Sequence, residues 1–207
     1  MKLTGESKFF IGIILATIAL VGVSLFSFAK PAQTPIIRDQ NLIPATSYMK
    51  GNKDAKVMLV EFSDFQCPAC KAAKPIVDEL IKTYPDKMLF VYRHFPLDQH
   101  PYGMKAAHAA EAAGAQGKFW EMYDMLFANQ EKFSDELFSK LATELKLDMN
   151  AFTLTATDSA ISESIRKDRA YGLTIGVNST PTFFLNGQKL ELSTFQELKT
   201  RIEKAVQ

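Results

Sequence analysis

Two cysteines separated by two residues constrain this chain more than any other feature of its sequence. Cys67 and Cys70 are the only cysteines among the 207 residues, and they lie in the segment FQCPACK at 65–71. A helix that begins at or just before Cys67 brings Cys70 onto the same face one turn later, because positions i and i+3 are neighbours on a helix surface. The two sulfur atoms can then meet, which indicates redox chemistry.

The start of such a helix favours a thiolate at Cys67. The first N–H groups of a helix lack backbone partners, and the helix dipole adds partial positive charge, so both stabilise a negatively charged sulfur. Cys70 then lies where it can resolve a mixed disulfide. Pro68 suits the first helical turn, because no backbone acceptor there requires the N–H that proline lacks.

Charge and cysteine usage exclude several classes of protein. Lys and Arg number 24 against 23 Asp and Glu, a net charge of +1, so no basic surface indicates nucleic acid as a partner. The chain is long enough to bury a core without disulfide cross-links. One pair of close cysteines and no others indicates a reactive pair and not a structural disulfide framework.

An apolar segment precedes the rest of the chain. Residues 9–29 include no charged side chain over 21 positions, which is long enough to span a bilayer as a helix. Two lysines before it, opposed by one glutamate, favour a cytoplasmic N-terminus. We therefore predict that residues 1–29 are a single-pass membrane anchor or, alternatively, a signal peptide cleaved after Ser27-Phe28-Ala29. Both interpretations place the domain on the extracytoplasmic side of the cell membrane.

The order of elements after this segment predicts an α/β domain. Residues 30–46 carry three prolines and no helical or strand period, which predicts an extended linker before a domain at 47–207. The apolar runs 57–62 and 88–95 predict two strands covered on both faces. A helix between them, from the cysteines to Tyr84, predicts a parallel crossover. The cysteines then lie at the carboxyl end of the first strand, where open α/β sheets place their sites.

The second half of the chain predicts a helical insertion followed by a hairpin. Residues of about 100–172 are alanine-rich and amphipathic, with three turn-prone breaks, and predict four or five helices. Residues 182–190 predict a β-hairpin on an Asn186-Gly187 turn. Ser193 is expected to cap a closing helix.

Aromatic residues in the insertion recur at helical spacing, which predicts buried core and not a peptide groove. They are Phe119, Trp120, Tyr123 and Phe127, with Leu126 in the same stripe. The three histidines, His94, His100 and His108, are expected to be structural or surface residues.

Taken in order, the motifs resemble those of the DsbA-like thiol:disulfide oxidoreductases of the bacterial cell envelope. They are EFSDFQCPAC at 61–70, HFPL at 94–97, GKFW at 117–120 and VNSTPTFF at 177–184. The similarity covers residues of about 47–205. It implies an α/β thioredoxin fold with an inserted α-helical subdomain, preceded here by one N-terminal transmembrane helix.

The resemblance implies roles for single residues around the motif. Cys67 is expected to be an exposed, ionised nucleophile and Cys70 the buried resolving thiol, and their disulfide is the only redox group expected, without another cofactor or a metal. The dipeptide Pro68-Ala69 between them lacks the histidine of the best-known oxidases. Glu61 matches a buried acid that exchanges a proton with the resolving cysteine. Its alternative is a solvent-facing strand residue.

The resemblance also implies a client-binding segment near the C-terminus. Pro181 matches the cis-proline opposite the cysteine motif, and the backbone of Thr180 is expected to pair with an extended client segment. The alternative is a trans proline that starts a strand.

The implied function is the introduction of disulfides into cysteine-containing exported client proteins. The expected protein is a monomer, attached to the membrane by its N-terminal helix, reoxidised by a quinone-linked membrane partner and without a nucleic-acid partner. The same fold permits the reverse direction, as a disulfide reductase or isomerase. Two alternatives are not catalytic: an exported chaperone or binding module with an idle disulfide, and a zinc-binding module, which requires more ligands than one CxxC supplies.

Overall fold

The computed structural model describes residues 5–28 and 35–207, and side chains of the first segment are described at 9–21. Helix α1 (Gly5–Phe28) belongs to one compact unit, and residues 35–207 form a second. Within the described residues, no helix combines the length and the apolar character needed to cross a bilayer. The expected cleavage site at Ala29 and the linker residues up to 34 lie outside the described residues, so export stays a prediction.

A five-stranded mixed sheet forms the centre of the second unit, in the order β1-β3-β2-β4-β5. Its strands are β1 (Tyr48–Gly51), β2 (Val57–Ser63), β3 (Met88–His94), β4 (Thr182–Leu185) and β5 (Gln188–Lys189). Strand β2 pairs in parallel with β3, which confirms the predicted parallel crossover, and antiparallel with β4 on its other side. Strand β4 pairs antiparallel with β5, which confirms the predicted hairpin. Strand β1 is not predicted from sequence, because its four residues, YMKG, are too few to show a period.

Helices cover the sheet and form the insertion. Besides α1, the described residues form α2 (Pro68–Thr83), α3 (Gly103–Gly114), α4 (Phe119–Ala128), α5 (Asp135–Glu144), α6 (Met149–Ala156), α7 (Ser159–Thr174) and α8 (Phe195–Ala205), with 3₁₀ turns at Gln40–Leu42 and Gln130–Lys132. Helices α3–α7 lie between β3 and β4, as the predicted insertion requires. The chain therefore has a mixed α/β thioredoxin-like fold.

One predicted helix boundary is wrong by a residue. Thr194, not Ser193, caps α8, and its hydroxyl accepts a hydrogen bond from the Glu197 N–H at 3.3 Å. The N–H of Ser193 donates instead to the Glu197 carboxylate at 3.1 Å. Both residues contribute to the helix start, but only the Thr194 hydroxyl accepts a hydrogen bond from a backbone N–H of the helix.

Alternate residues of β2 face two separate hydrophobic clusters. Leu59 packs with α2 and with the predicted aromatic stripe, whereas Val60 and Phe62 pack on the opposite side. In the stripe, Phe119, Tyr123, Leu126 and Phe127 are buried and Trp120 is partly buried, which confirms the predicted core.

The described part of the expected linker packs against the sheet. Ile36 forms a bridge with Gln188, and the Ile37 N–H donates to the Gly187 carbonyl at 2.7 Å. Leu42 is only 5% exposed, and its carbonyl accepts a hydrogen bond from Arg93 at 2.8 Å. The prediction of an extended, free linker is therefore wrong for this part of the chain. The buried guanidinium of Arg93 requires hydrogen-bond acceptors, and the carbonyls of Asn41 and Leu42 supply two of them.

Candidate active site

The two cysteines lie where strand β2 passes into helix α2. Cys67 is the N-cap residue, Pro68 is the first helical residue and Cys70 lies in the first turn, as the sequence predicts. Both side chains are free thiols. The Cys67 backbone is extended, with φ −78° and ψ 120°, and it leaves the sulfur at the helix start.

The segment Thr180-Pro181 lies against Cys67. The thiol of Cys67 donates a hydrogen bond to the Thr180 carbonyl oxygen, with sulfur and oxygen 3.3 Å apart. The Thr180–Pro181 peptide bond is cis, as predicted. The expected exposure of Cys67 is wrong, since it is only 6% exposed and packs against Thr180, itself 8% exposed. The exposed residues at the motif are Pro68 and Ala69.

Hydrogen bonds and burial give the two cysteine thiols different pKa values. The pKa of Cys67 is lowered to about 5, chiefly by a hydrogen bond from the Cys70 thiol, with help from the side chain of Thr180 and the N–H groups of Cys70 and Ala69. The pKa of Cys70 is raised above its usual range, first by burial and then by its contacts with Cys67 and Glu61. The pair therefore carries its negative charge on Cys67 and its proton on Cys70.

Two lysines follow the motif on α2, and both are matched by carboxylates. Lys71 pairs with Glu131 at 2.7 Å. Lys74 pairs with Asp124 at 2.7 Å and with Asp78 on its own helix. The lysines therefore add little net positive charge beside Cys67, and the helix start and Cys70 account for its lowered pKa.

Glu61 is a buried acid on the cysteine side of the sheet. It is 1% exposed and lies in the middle of β2, opposite Tyr92 of β3 and Phe183 of β4. Burial raises its pKa to about 8, and one of its carboxylate oxygens has no hydrogen-bond partner among the described residues. Its charge helps to raise the pKa of Cys70, so the two groups are electrostatically coupled. The solvent-facing alternative for Glu61 is wrong.

Asp64 holds the loop before Cys67, and sequence reasoning missed it. Its carboxylate, fully buried, accepts hydrogen bonds from the N–H groups of Gln66 at 2.7 Å and Leu97 at 2.8 Å, and from the His100 ring at 2.7 Å. Its carbonyl accepts the Cys67 N–H at 3.0 Å. An aspartate two residues before Gln66 is a signal for a local turn, but the contacts with Leu97 and His100 are long-range.

Gln130, in the 3₁₀ turn of the insertion, is a second residue that sequence reasoning missed. Its side-chain nitrogen donates to the Phe65 carbonyl at 2.7 Å and to the Cys67 carbonyl at 2.9 Å. It is 6% exposed. No local pattern at position 130 indicates this contact, because its partners lie more than 60 residues earlier.

The histidines bind protein groups. His94 lies 3.0 Å from the Glu111 carboxylate, and His108 lies 2.7 Å from the Ala156 carbonyl oxygen. With His100 bound to Asp64, the prediction of structural roles is consistent with the contacts of all three. In the part of the chain that the structure describes, no three His, Cys, Asp or Glu residues are grouped to hold a metal ion.

Comparison with protein families and curated proteins gives two kinds of similarity. The family model described as Thioredoxin matches residues 44–204. The Na(+)/H(+) antiporter NhaA 3 of Salinispora tropica is 40% identical over 147 residues, which are 70% of this chain and 22% of that protein. The Na(+)/H(+) antiporter NhaA of Herminiimonas arsenicoxydans is 33% identical over 188 residues, 87% of this chain and 30% of that protein. The chain thus spans less than a third of the length of these relatives.

Solved structures share the fold over most of their length. The thiol-disulfide exchange protein alpha-DsbA2 of Wolbachia pipientis has a TM-score of 0.71 and 24% identity, covering 80% of this chain and 90% of that one. A thioredoxin-like oxidoreductase from Silicibacter pomeroyi has a TM-score of 0.70 and 25% identity, covering 82% of this chain and 97% of that one. Oxidised BdbD from Bacillus subtilis has a TM-score of 0.67 and 23% identity, covering 77% of this chain and 92% of that one. The fold is therefore that of DsbA-type thiol-disulfide exchange proteins.

Proposed function

The chain belongs to the thioredoxin family, and from this premise we propose that it introduces disulfides into cysteine-containing client proteins through Cys67 and Cys70. The observation that carries the proposal is the division of charge in this pair, with a low pKa at Cys67 and a raised pKa at Cys70. The names of the solved structures with this fold, a thiol-disulfide exchange protein and an oxidoreductase, support the same kind of activity.

The first step transfers the client to Cys67. In the oxidised protein, a client thiolate attacks the sulfur of Cys67, and the bond between Cys67 and Cys70 breaks. A mixed disulfide forms between the client and Cys67, and the electron pair of the broken bond leaves on Cys70. Because the pKa of Cys70 is raised, this thiolate takes up a proton, for which Glu61 is the proposed donor.

The second step releases the oxidised client. A second client thiolate attacks the client sulfur of the mixed disulfide, and Cys67 leaves as a thiolate. The client has lost two electrons, and the cysteine pair has gained them. Its low pKa makes Cys67 a good leaving group and stabilises the reduced protein, so the disulfide is a strong oxidant. This favours oxidation over the reductase and isomerase alternatives, which use the same exchange in reverse.

Client binding and reoxidation complete the proposal. The Thr180 backbone, beside the Cys67 sulfur and just before β4, offers peptide groups with which an extended client segment pairs. The clients are exported proteins, the N-terminal segment 1–29 attaches the chain to the membrane, and a quinone-linked membrane partner reoxidises the cysteine pair. The protein acts as a monomer. Antiport is no part of the proposal, because the chain spans only 22% and 30% of the length of the two antiporters.

Mixed-disulfide trapping in cells tests the proposal. Cys70→Ser removes the resolving thiol, so the variant is expected to accumulate client proteins bound to Cys67 through disulfides that a reductant releases. Cys67→Ser, the matched control, is expected to capture none, because the raised pKa of Cys70 keeps its thiol protonated and therefore unreactive. A Cys70→Ser variant that captures no more protein than Cys67→Ser contradicts the proposed function.

A further inference from the structure

We propose that Gln130 is a positioning residue for Cys67, which holds the backbone of the nucleophile in place from the helical insertion. The inference rests on the proposed function, since it concerns the same cysteine pair. It assigns the insertion a part in the chemistry of the site beyond covering the sheet.

The contacts of Gln130 use all of its donor capacity. A side-chain amide has two N–H groups, and the two acceptors 2.7 and 2.9 Å away are the carbonyls of Phe65 and Cys67. These carbonyls flank Gln66 in the turn from β2 to α2. Phe65 is 1% exposed and Gln130 is 6% exposed, so water does not replace the amide easily. One buried side chain thus fixes two points of the turn.

The Cys67 carbonyl joins the nucleophile to helix α2. The same carbonyl accepts the first hydrogen bond of α2, from the Lys71 N–H at 3.2 Å. Because two donors bind this carbonyl, they hold the peptide plane that follows Cys67. They therefore also hold the ψ angle of Cys67, which is 120° and so extended, whereas the next residue is helical. The sulfur then meets the Thr180 carbonyl at 3.3 Å.

The amide also acts on the charge of the site. A carbonyl oxygen is the negative end of a dipole, and in the turn that carries the nucleophile it opposes a thiolate unless donors bind it. Gln130 places N–H groups on the carbonyls of both Phe65 and Cys67. The other link from the same turn, Glu131 to Lys71, is an ion pair between side chains 79% and 36% exposed, which solvent screens. The buried amide is therefore the stronger of the two contacts.

A pair of matched substitutions in the full, reduced chain tests the inference. Gln130→Met keeps the volume and removes both donors. It is expected to raise the midpoint of the Cys67 thiolate titration, followed by ultraviolet absorbance, by about half a pH unit. At neutral pH this moves the equilibrium with glutathione about threefold toward the oxidised protein.

Gln116→Met is the control. Gln116 also joins two parts of the insertion, through hydrogen bonds with the backbone of Asp148 at 2.8 and 3.1 Å, but it is only partly buried and does not contact the cysteine motif through these bonds. Its titration midpoint and glutathione equilibrium are expected to equal those of the wild type. A folded Gln130→Met variant that also equals the wild type in both overturns the inference.

A measurement on the wild type covers the case in which Gln130→Met does not fold. The side-chain amide protons of Gln130 are expected to exchange slowly with water and to show NMR couplings across their hydrogen bonds to the Phe65 and Cys67 carbonyls. Fast exchange without such couplings overturns the inference. No client enters these measurements, so their failure leaves the proposed function standing, and failed client capture leaves this inference standing.

Discussion

The sulfur of Cys67 lies 3.3 Å from the carbonyl oxygen of Thr180, a residue 113 positions later in the chain. Strands β2 and β4 bring the two together, because they are neighbours in the sheet and Phe62 pairs with Thr182. The residue that carries the charge therefore lies against a backbone segment entering a strand. Chemistry and client binding are proposed for these two segments, and the sheet places them in contact.

Removal of the Cys70 thiol is expected to raise the pKa of Cys67. In Cys70→Ala the hydrogen bond that contributes most to its value of about 5 is lost, so the titration midpoint moves toward that of an ordinary thiol. Cys70→Ser keeps a hydroxyl donor and is expected to raise the midpoint less. Thiolate absorbance against pH measures both, and an equal midpoint in the wild type and Cys70→Ala contradicts the assignment.

Replacement of Glu61 by glutamine is expected to stabilise the fold at alkaline pH. Burial raises the pKa of Glu61 to about 8, so the folded state holds a proton that the unfolded state loses near its ordinary value of 4.5. The stability of the wild type therefore falls as the pH rises from the lower value to the higher one. At about 1.4 kcal/mol per pKa unit, Glu61→Gln gains up to about 5 kcal/mol above pH 8 and little at pH 4.

Urea unfolding of both proteins across this pH range measures the difference. If the free energies of unfolding of the two proteins differ by the same amount at every pH, the raised pKa of the buried Glu61 carboxyl is contradicted. The same variant is expected to exchange disulfides more slowly at neutral pH, because glutamine cannot donate the proton that Cys70 takes up. An unchanged rate profile from acid to neutral pH excludes that role for Glu61.

Asp64→Asn is expected to destabilise the protein by about 3 kcal/mol, because the amide that replaces the carboxylate offers one acceptor oxygen to a buried site with three donors. The side chain of Asp64 is 0% exposed and that of His100 17%. Asp98→Asn is the matched control, since Asp98 pairs with Arg169 at 2.8 Å but its side chain is 86% exposed. Its expected cost is below about 1 kcal/mol. Equal costs in denaturant unfolding contradict the assigned role of Asp64.

Leu42→Ala tests whether the segment before β1 belongs to the folded domain. Leu42 is 5% exposed and packs with Val60 and Phe62, so the expected cost is about 2 to 3 kcal/mol of the free energy of unfolding. Ile36→Ala, at a position 53% exposed, is expected to cost much less. If both substitutions leave the unfolding midpoint unchanged, the segment is a free tether after all.

Sequence alone predicted the elements whose signals are local. The helix start at Cys67, the parallel strands β2 and β3 and the hairpin at Asn186 all follow from short patterns of turn residues and apolar spacing. The cis peptide bond before Pro181, opposite the cysteine motif, was predicted from the family resemblance. These segments are the ones that the structure confirms.

The contacts that sequence missed join distant parts of the chain. Nothing near Gln130 shows that its amide reaches Cys67, and nothing near Leu42 shows that Arg93 binds its carbonyl. The burial of Cys67 has the same origin, since it depends on Thr180. Such contacts are set by how the insertion and the N-terminal segment pack on the sheet, and one sequence does not encode that packing in any local period.

The reduction potential of the Cys67–Cys70 pair tests the central claim most directly. Titration of the full chain against glutathione is expected to give a value of about −120 mV, at the strongly oxidising end of the known range, because the low pKa of Cys67 stabilises the reduced protein. A value of about −270 mV, typical of a reductant, contradicts the claim that the chain donates disulfides.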